Sequence, residues 1–292
     1  MNNPTAPRSC ALLGEAIGYS LSPRIHGLLA ASVGLAVQYD LVDVPAAAVG
    51  AAIKDFFAAG GCGMNVTVPH KMAAARLCDV LSPEARRCGA VNTIYLDPQG
   101  RLVGENTDGL GLLRDLVQNL GMALQGAAVL LLGAGGAARG VAATLLQAGV
   151  THLTIANRTA HKAQHLAREL GGLGVVTGMG WGQLAVARDI GPFDLIINAT
   201  PAGRSGEEIQ LPGTLIGPDT MAYDMNYSGP MTFQAWASAS GAAQVSDGLG
   251  MLVEQAAASF RLWHATEVAT AAVLRLLRVQ GESSLPRQSD PI

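Results

Sequence analysis

Leu130-Leu131-Leu132-Gly133-Ala134-Gly135-Gly136-Ala137-Ala138-Arg139-Gly140 runs from an unbroken apolar segment through a glycine-rich turn into a small-residue helix. An apolar run of this length, bounded by glycine, predicts a strand buried on both faces. Gly133 permits the tight turn, and Gly135 lets backbone approach a pyrophosphate. Ala138 takes the third small position, against the sheet. The helix start then offers free N–H groups to an anion. A GxGxxA by itself also serves plain packing. Between a strand and a helix it predicts a dinucleotide site over Gly133, Ala134, Gly135, Gly136 and Ala137.

The next strand decides which dinucleotide. An acidic residue about 20 positions on would bond a ribose 2′-hydroxyl. The strand ends instead in Thr154-Ile155-Ala156-Asn157-Arg158-Thr159, with Lys162 on the following helix. A carboxylate would repel a 2′-phosphate, whereas a guanidinium can bond it bidentately. Arg158, with Lys162 following, therefore points to NADP. The competing reading is a helix cap at Thr159 flanked by solvated cations.

Working outward, β-α alternation continues on both sides. Strands are expected at Leu153–Ala156, Val175–Val176, Leu195–Asn198 and Met221–Asp224, with helices at Gly109–Leu120, Ala137–Gln147 and Ala160–Leu170. Such repetition implies a parallel sheet covered on both faces. Upstream, strands are expected at Cys10–Ile17, Val37–Val44 and Gly63–Val68. Ser22-Pro23 reads as an N-cap followed by a helix-opening proline, and Pro69 as the opening of another helix. Pro45–Ala59 reads as a helix, and Val91–Leu96 with Leu102–Glu105 as a hairpin. Two helices fill Leu249–Val279 without a strand between them.

The expected fold is α/β with two domains. Residues 1–106 form a substrate-binding α/β unit, and 107–248 an NADP-binding, doubly wound Rossmann-type unit. Residues 249–280 are helices returning to the first unit, and 281–292 a disordered tail. Residues 1–9 are likewise expected to be disordered.

The 292 residues are 49% hydrophobic and 14% charged, ample for two cores, and the formal charge is −3. That balance argues against nucleic acid or an anionic membrane as partner. Cys10, Cys62, Cys78 and Cys88 show no CxxC spacing, and no cationic, apolar leader opens the sequence. A reduced, cytoplasmic setting is expected. The apolar window from Ala127 to Val150 is broken by glycines and Arg139, so no membrane span is expected. His161 and His165 share a helix face without a third ligand, and no metal is expected.

The first unit carries polar groups where apolar ones would be cheaper. Gly63-Met64-Asn65-Val66-Thr67-Val68-Pro69-His70-Lys71 puts Asn65 in a strand, although asparagine is depleted there and an inward amide must be bonded. Read alone, Asn65 could cap a turn and Lys71 could be a surface cation. Ser20 and Ser22 precede a helix N-terminus suited to a carboxylate. Asn92 lies in Gly89-Ala90-Val91-Asn92-Thr93, and Asn106-Thr107-Asp108 leads into a helix that it could simply cap. Gln255 interrupts an apolar helix face beside Leu252, Ser259 and Leu262, and Tyr227 follows a strand end.

In order along the chain, Ser20-Leu21-Ser22-Pro23, Asn65 to Lys71, Gly89 to Thr93, Asn106-Thr107-Asp108-Gly109 and Gly133 to Ala137 resemble the motifs of shikimate dehydrogenases. Asn157-Arg158-Thr159, Asn198-Ala199-Thr200 and Asp247 to Ala257 continue the resemblance, which spans about Ala11 to Trp263. It implies NADP-linked interconversion of 3-dehydroshikimate and shikimate, toward chorismate and the aromatic amino acids. It implies that Ser20 and Ser22 bind the substrate carboxylate. Asn65, Thr67, Asn92, Tyr227 and Gln255 would line the polyol pocket, with Lys71 and Asp108 at the reacting oxygen. It adds Asn157, Thr159, Thr200, Met225, Gly248 and Met251 to the cofactor contacts.

Tyr19, where relatives commonly carry His, Pro201, where some carry Ser, and Ala265, where Gly is usual, depart from the pattern. The partner expected is a small molecule, and the state a monomer or homodimer. Alternatives are a quinate/shikimate dehydrogenase using NAD, a folate-type dehydrogenase lacking support from the serine pair, and a non-catalytic NADP sensor. Gly104 and Gly248 stand as candidate hinge pivots.

Overall fold

Alternation along β7 (Ala128–Leu132) accounts for the sheet at the centre of the molecule. Val129 and Leu131 enter one core while Leu130 and Leu132 enter another, so the strand is buried on both faces. The computed structural model describes residues 7–186, 190–201 and 211–283. β7 joins β8 (His152–Asn157), β9 (Val175–Gly180), β10 (Phe193–Asn198), β11 (Ile216–Asp224) and β12 (Gln244–Ser246). All pairs are parallel, in the order β12-β11-β10-β7-β8-β9. The order reverses between β7 and β10, which opens a crevice at their carboxyl ends.

The other sheet is mixed. It contains β1 (Arg8–Gly14), β2 (Val37–Asp43), β3 (Gly63–Val66), β4 (Val80–Leu81), β5 (Thr93–Leu96) and β6 (Leu102–Glu105), in the order β2-β1-β3-β5-β6-β4. β1 is parallel to β2 and β3, whereas β5 is antiparallel to both β3 and β6. The expected hairpin forms. Asp97 Oδ1 accepts the backbone N–H groups of Gln99 and Arg101 to close its turn, each at 2.9 Å.

The helices of the first half are α1 (Ser22–Ser32), α2 (Val49–Ala58), α3 (Lys71–Leu77) and α4 (Pro83–Cys88). Around the second sheet lie α5 (Asp108–Arg114), α6 (Gly136–Gln147), α7 (Ala160–Leu170), α8 (Trp181–Val186) and α9 (Thr232–Ala239). α10 (Leu249–His264) and α11 (Thr270–Ser283) return to the first half. Val253, Phe260, Val273 and Leu277 share a core with Ile25 and Leu29 of α1. Each such side chain contributes roughly 1.5–3 kcal/mol by leaving water.

α5 connects the halves and is gripped on two sides. A Cβ on Gly109 would lie 2.1 Å from Thr144 Oγ1 and 2.8 Å from the Gly140 carbonyl of α6. A Cβ on Gly111 would lie 2.9 Å from the Met251 carbonyl of α10. Only hydrogen fits at either place. α5 then continues as a π turn over Asp115–Asn119, where buried Asp115 accepts the Tyr223 hydroxyl at 2.6 Å.

Several local expectations are corrected. Ser22 is not an N-cap; Leu21 holds that place, with no capping side chain, and Ser22 is the first helical residue. β3 ends at Val66, and α3 begins at Lys71, two residues beyond Pro69, after a cis Val68–Pro69 peptide. Of the Asn106-Thr107-Asp108 trio, Thr107 is the N-cap of α5, and its side chain makes no capping bond. Arg8 and Ser9 belong to β1, and α11 extends through Ser283. Residues 1–6 and 284–292 of the two expected disordered ends lie outside the described residues. β4, α4, α8, α9 and β12 were not anticipated. Gly104 and Gly248 both have ordinary φ and serve close packing. A Cβ on them would press on Val91 at 2.6 Å and on the Met225 carbonyl at 2.3 Å, respectively.

His26 of α1 is fully buried and stacks against both Tyr39, at 4.3 Å, and Trp263, at 5.2 Å between ring centroids. Among the described residues neither ring nitrogen has a hydrogen-bond partner. Burial, reinforced by His264, holds its pKa down to about 3. The unfolded chain takes up this proton near pH 6.5 and the folded chain does not, so stability is present above 6.5 and falls as pH drops from 6.5 toward 3. Between pH 7 and pH 5 the protein should lose about 2 kcal/mol more unfolding free energy than His26→Phe. Urea unfolding of both at the two pH values measures this; equal losses would refute the buried neutral imidazole.

Candidate active site

The turn after β3 delivers Lys71, and the chain leaving β6 delivers Asp108. Lys71 Nζ lies 2.5 Å from Asp108 Oδ2, with side-chain exposures of only 12% and 5%. The other carboxylate oxygen, Oδ1, accepts Asn92 Nδ2 at 2.8 Å, and the Asp108 N–H donates to Asn106 Oδ1 at 3.1 Å. Each oxygen therefore has its own donor, which fixes the plane of the carboxylate. An ammonium so placed can stabilise a developing alkoxide and give it a proton.

Both groups open onto a cleft of about 590 Å³. Its walls include Ser20, Ser22, Asn65, Thr67, Asn92, Tyr227 and Gln255 from the polar set named by the sequence. On the nucleotide side they include Gly135, Gly136, Ala137, Thr200, Met225, Gly248 and Met251. The lysine stem rests on the glycine turn, since a Cβ on Gly136 would lie 3.4 Å from Lys71 Cβ. Gly140 likewise leaves room for Asp108 Oδ2, 3.0 Å from where its Cβ would be.

The serines at the start of α1 face one another, with Ser20 Oγ 3.1 Å from Ser22 Oγ. Ser20 Oγ also accepts the Ser22 N–H at 3.2 Å. Two hydroxyls at an uncapped helix N-terminus suit an anion. Behind them Asn65 is held on every side. Its Oδ1 accepts Tyr39 OH at 2.8 Å, and its Nδ2 lies 3.0 Å from both the Asn92 carbonyl and Ser259 Oγ. Ser259 Oγ is also 2.7 Å from Thr93 Oγ1. Thr107 Oγ1 donates to the Gln255 carbonyl at 3.1 Å, and Gln255 Oε1 accepts Asn92 Nδ2 at 3.4 Å. Gln255 thus faces the cleft network.

Tyr39, Thr93, Thr107 and Ser259 hold this network, and none was singled out from the sequence as a site residue. Tyr39 shares a strand face with Val37, and Ser259 shares a helix face with Gln255. Those periodicities are the signals that could have marked them.

On the nucleotide side Gly133 has φ +113°, and a Cβ there would lie 3.0 Å from the Ala199 carbonyl. Its N–H donates to the Ala156 carbonyl at 2.8 Å, which sets the turn against the end of β8. Gly133 and Ala134 are buried beneath the turn, while Gly135 is exposed with open space where its Cβ would be. Arg158 and Lys162 are exposed beyond the end of β8, and Asn157 Nδ2 donates to the Thr159 carbonyl at 3.0 Å. Gly133, Ala134, Asn157, Arg158, Thr159 and Lys162 do not line the main cleft. An open glycine cradle, a free helix start and two cations without a neighbouring acidic strand end fit a phosphorylated dinucleotide. His165 pairs with Glu169 at 3.5 Å, and among the described residues no three His, Cys, Asp or Glu side chains are placed to hold a metal.

Family models match in three blocks. The shikimate dehydrogenase substrate binding domain matches residues 12–94, the shikimate / quinate 5-dehydrogenase model 115–203, and the shikimate 5'-dehydrogenase C-terminal domain 248–278. A shikimate dehydrogenase (NADP(+)) of Hahella chejuensis is 46% identical over 273 residues, covering 93% of this chain and 98% of that protein. The chain belongs to the shikimate dehydrogenase family.

Among solved members of similar shape is a shikimate 5-dehydrogenase of Thermus thermophilus in complex with NADP(H) and shikimate. It has TM-score 0.79 and 34% identity over 93% of this chain and 99% of that one. An Ael1 enzyme from Pseudomonas putida has TM-score 0.83 and 38% identity, covering 92% and 98%. Tyr19 and Pro201, two departures from the shikimate dehydrogenase pattern, both line the cleft. Ala265 closes α10 with φ +51°, the left-handed region that favours the glycine usual there.

Proposed function

We propose that this protein is an NADP-dependent shikimate dehydrogenase, reversibly reducing 3-dehydroshikimate to shikimate on the route to chorismate. The observation that carries the reading is the Lys71–Asp108 couple, nearly shielded from water in a cleft shared with the glycine turn. It is supported by the names of the similar proteins, which specify shikimate and NADP.

When bound, the nicotinamide supplies the hydride. In the proposed arrangement the cradle from Gly133 to Ala137 holds the pyrophosphate. Asn157, Arg158, Thr159 and Lys162 hold the 2′-phosphate end, and Thr200, Met225, Gly248 and Met251 border the nicotinamide. Ser20 and Ser22 take the substrate carboxylate at the start of α1. Asn65, Thr67, Asn92, Tyr227 and Gln255 face the ring hydroxyls. The Lys71 ammonium stabilises the oxygen of the reacting carbonyl and gives it a proton, while Asp108 orients that ammonium. In the reverse direction the same couple receives the alcohol proton.

Residues 1–106 serve as the substrate unit and 107–248 as the NADP unit, with 249–280 completing the first. The site needs no second copy of the chain, so a monomer or homodimer in the cytoplasm is compatible with it. Among the described residues no helix is long and apolar enough to cross a membrane. A sensor would not require a shielded ammonium at the substrate oxygen, and the cations at the end of β8 weigh against NAD.

Absorbance at the NADPH band, with shikimate and quinate each tested against NADP and NAD, should give turnover chiefly with shikimate and NADP. Faster turnover of quinate with NAD would replace this reading by the alternative. Lys71→Ala should lower kcat by roughly 10²-fold or more with NADPH affinity nearly unchanged; a near-normal kcat removes Lys71 from the chemistry. Arg158→Asp should raise KM for NADPH far more than for NADH. Equal losses would contradict a 2′-phosphate contact.

A further inference from the structure

The cysteines divide into two kinds. The Cys78 and Cys88 thiols are each pushed up to about 11 by burial, and neither adjoins an imidazole. Cys10 and Cys62 share one. His264, at the end of α10, places Nε2 3.9 Å from Cys10 Sγ and Nδ1 3.9 Å from Cys62 Sγ. Arg8 Nη1 lies 3.1 Å from the same Nδ1. A guanidinium only donates, so Nδ1 is an acceptor and the ring proton sits on Nε2, toward Cys10.

The backbones are adjacent as well. The Cys62 N–H donates to the Ser9 carbonyl at 2.7 Å, in the peptide unit leading into Cys10. Cys10 is buried, whereas Cys62 is partly open to solvent. As a thiol, Cys62 donates to the Trp263 carbonyl at 3.5 Å.

We infer that Cys62 and Cys10 form a peroxide-sensitive dithiol, in which Cys62 is the attacked sulfur, Cys10 the resolving thiol, and His264 with Arg8 the groups that polarise them. Both sulfurs lie 3.9 Å from the one imidazole, and the influence of each on the other lowers the Cys62 pKa while raising that of Cys10. His264 and Arg8 lower Cys62 further. A thiolate that solvent can reach, next to a second thiol, is the arrangement of a redox-responsive cysteine.

The steps balance. Cys62 loses its proton to solvent, and the thiolate attacks one oxygen of hydrogen peroxide. The S–O bond forms as the O–O bond breaks, and the departing hydroxide takes up a proton to become water. Cys10 then attacks the sulfenic sulfur, so that S–S forms and S–O breaks. The second hydroxide leaves with the Cys10 proton as water. Two thiols are oxidised by two electrons and one peroxide is reduced.

The site stands at the opening end of β1, whereas Leu12 and Ile17, farther along the chain, line the catalytic cleft. Its chemistry is therefore read by mass and not by turnover. Brief treatment of the folded protein with hydrogen peroxide, then denaturation, alkylation and non-reducing peptide mapping, should yield a Cys10–Cys62 linked pair lighter by two hydrogens, with Cys78 and Cys88 still alkylated. Limiting iodoacetamide on the untreated protein should label Cys62 roughly tenfold faster than Cys78 or Cys88. In Cys10→Ser the sulfenic acid should persist on Cys62 and be trapped by dimedone. Labelling of Cys62 no faster than Cys78 and Cys88 would overturn the inference, as would full oxidation of Cys62 without a link to Cys10.

Discussion

The contact between the Lys71 ammonium and the Asp108 carboxylate constrains most of the chain around it. Withdrawing two charges from water costs several kcal/mol for each, and their attraction offsets this only if the remaining polar valences are met. The structure meets them locally, with Asn92 on the second carboxylate oxygen and Asn106 at the Asp108 N–H. Lysine, aspartate and asparagine come from three different places: the turn after β3, the start of α5 and the residue before β5. The mixed sheet makes them converge. Gly136 and Gly140 have a second duty in consequence, since the lysine stem and the carboxylate press on α6 where any Cβ would stand.

Beneath that couple lies a second polar layer of Tyr39, Asn65, Thr93, Thr107 and Ser259. A buried network is stabilising only when its members are satisfied, and a partly satisfied one is worse than apolar packing. Here Asn65 has both ends of its amide engaged, and Ser259 of α10 touches strand, loop and its own helix. The amide in β3 is thereby explained. It positions the wall of the cleft through partners from the opposite end of the chain.

The distance of those partners decides what could be read in advance. The parallel sheet was legible because Leu130 to Leu132 and Leu195 to Asn198 are apolar runs closed by turn residues, and a run buried on both faces carries its own signature. The two-residue β4 and the three-residue β12 are too short for any period to show. Ser22 was misread because Ser-Pro before a helix has the same local pattern whether the serine caps or faces Ser20. Tyr39 and Asn65 are bonded across 26 positions, and Asn65 and Ser259 across 194, so neither contact leaves a trace in local spacing. The Gly133 turn, with all its determinants within a few residues, was fully legible.

The crevice has a second lip, built at a similar cost. Asp224 ends β11 with its carboxyl pushed up by burial, and its Oδ2 has no hydrogen-bond partner among the described residues. Oδ1 alone accepts Asn198 Nδ2 at 3.0 Å, the Asn226 N–H at 3.0 Å and Asn226 Nδ2 at 2.8 Å. Asn226 Nδ2 also reaches the Thr200 carbonyl at 2.9 Å, and Asn198 Oδ1 takes the Thr200 hydroxyl at 2.7 Å. A purely apolar packing would hold the ends of β10 and β11 without exposing a carboxyl to burial, but it would not fix the backbone of the loops beyond them. The hydrogen bonds do fix it, and the loops carry Thr200 and Met225 into the cleft wall. Both lips of the crevice thus accept buried polar groups for the same reason: hydrogen bonds are directional and dispersion is not, so only they can hold opposing walls at a set angle across an open space.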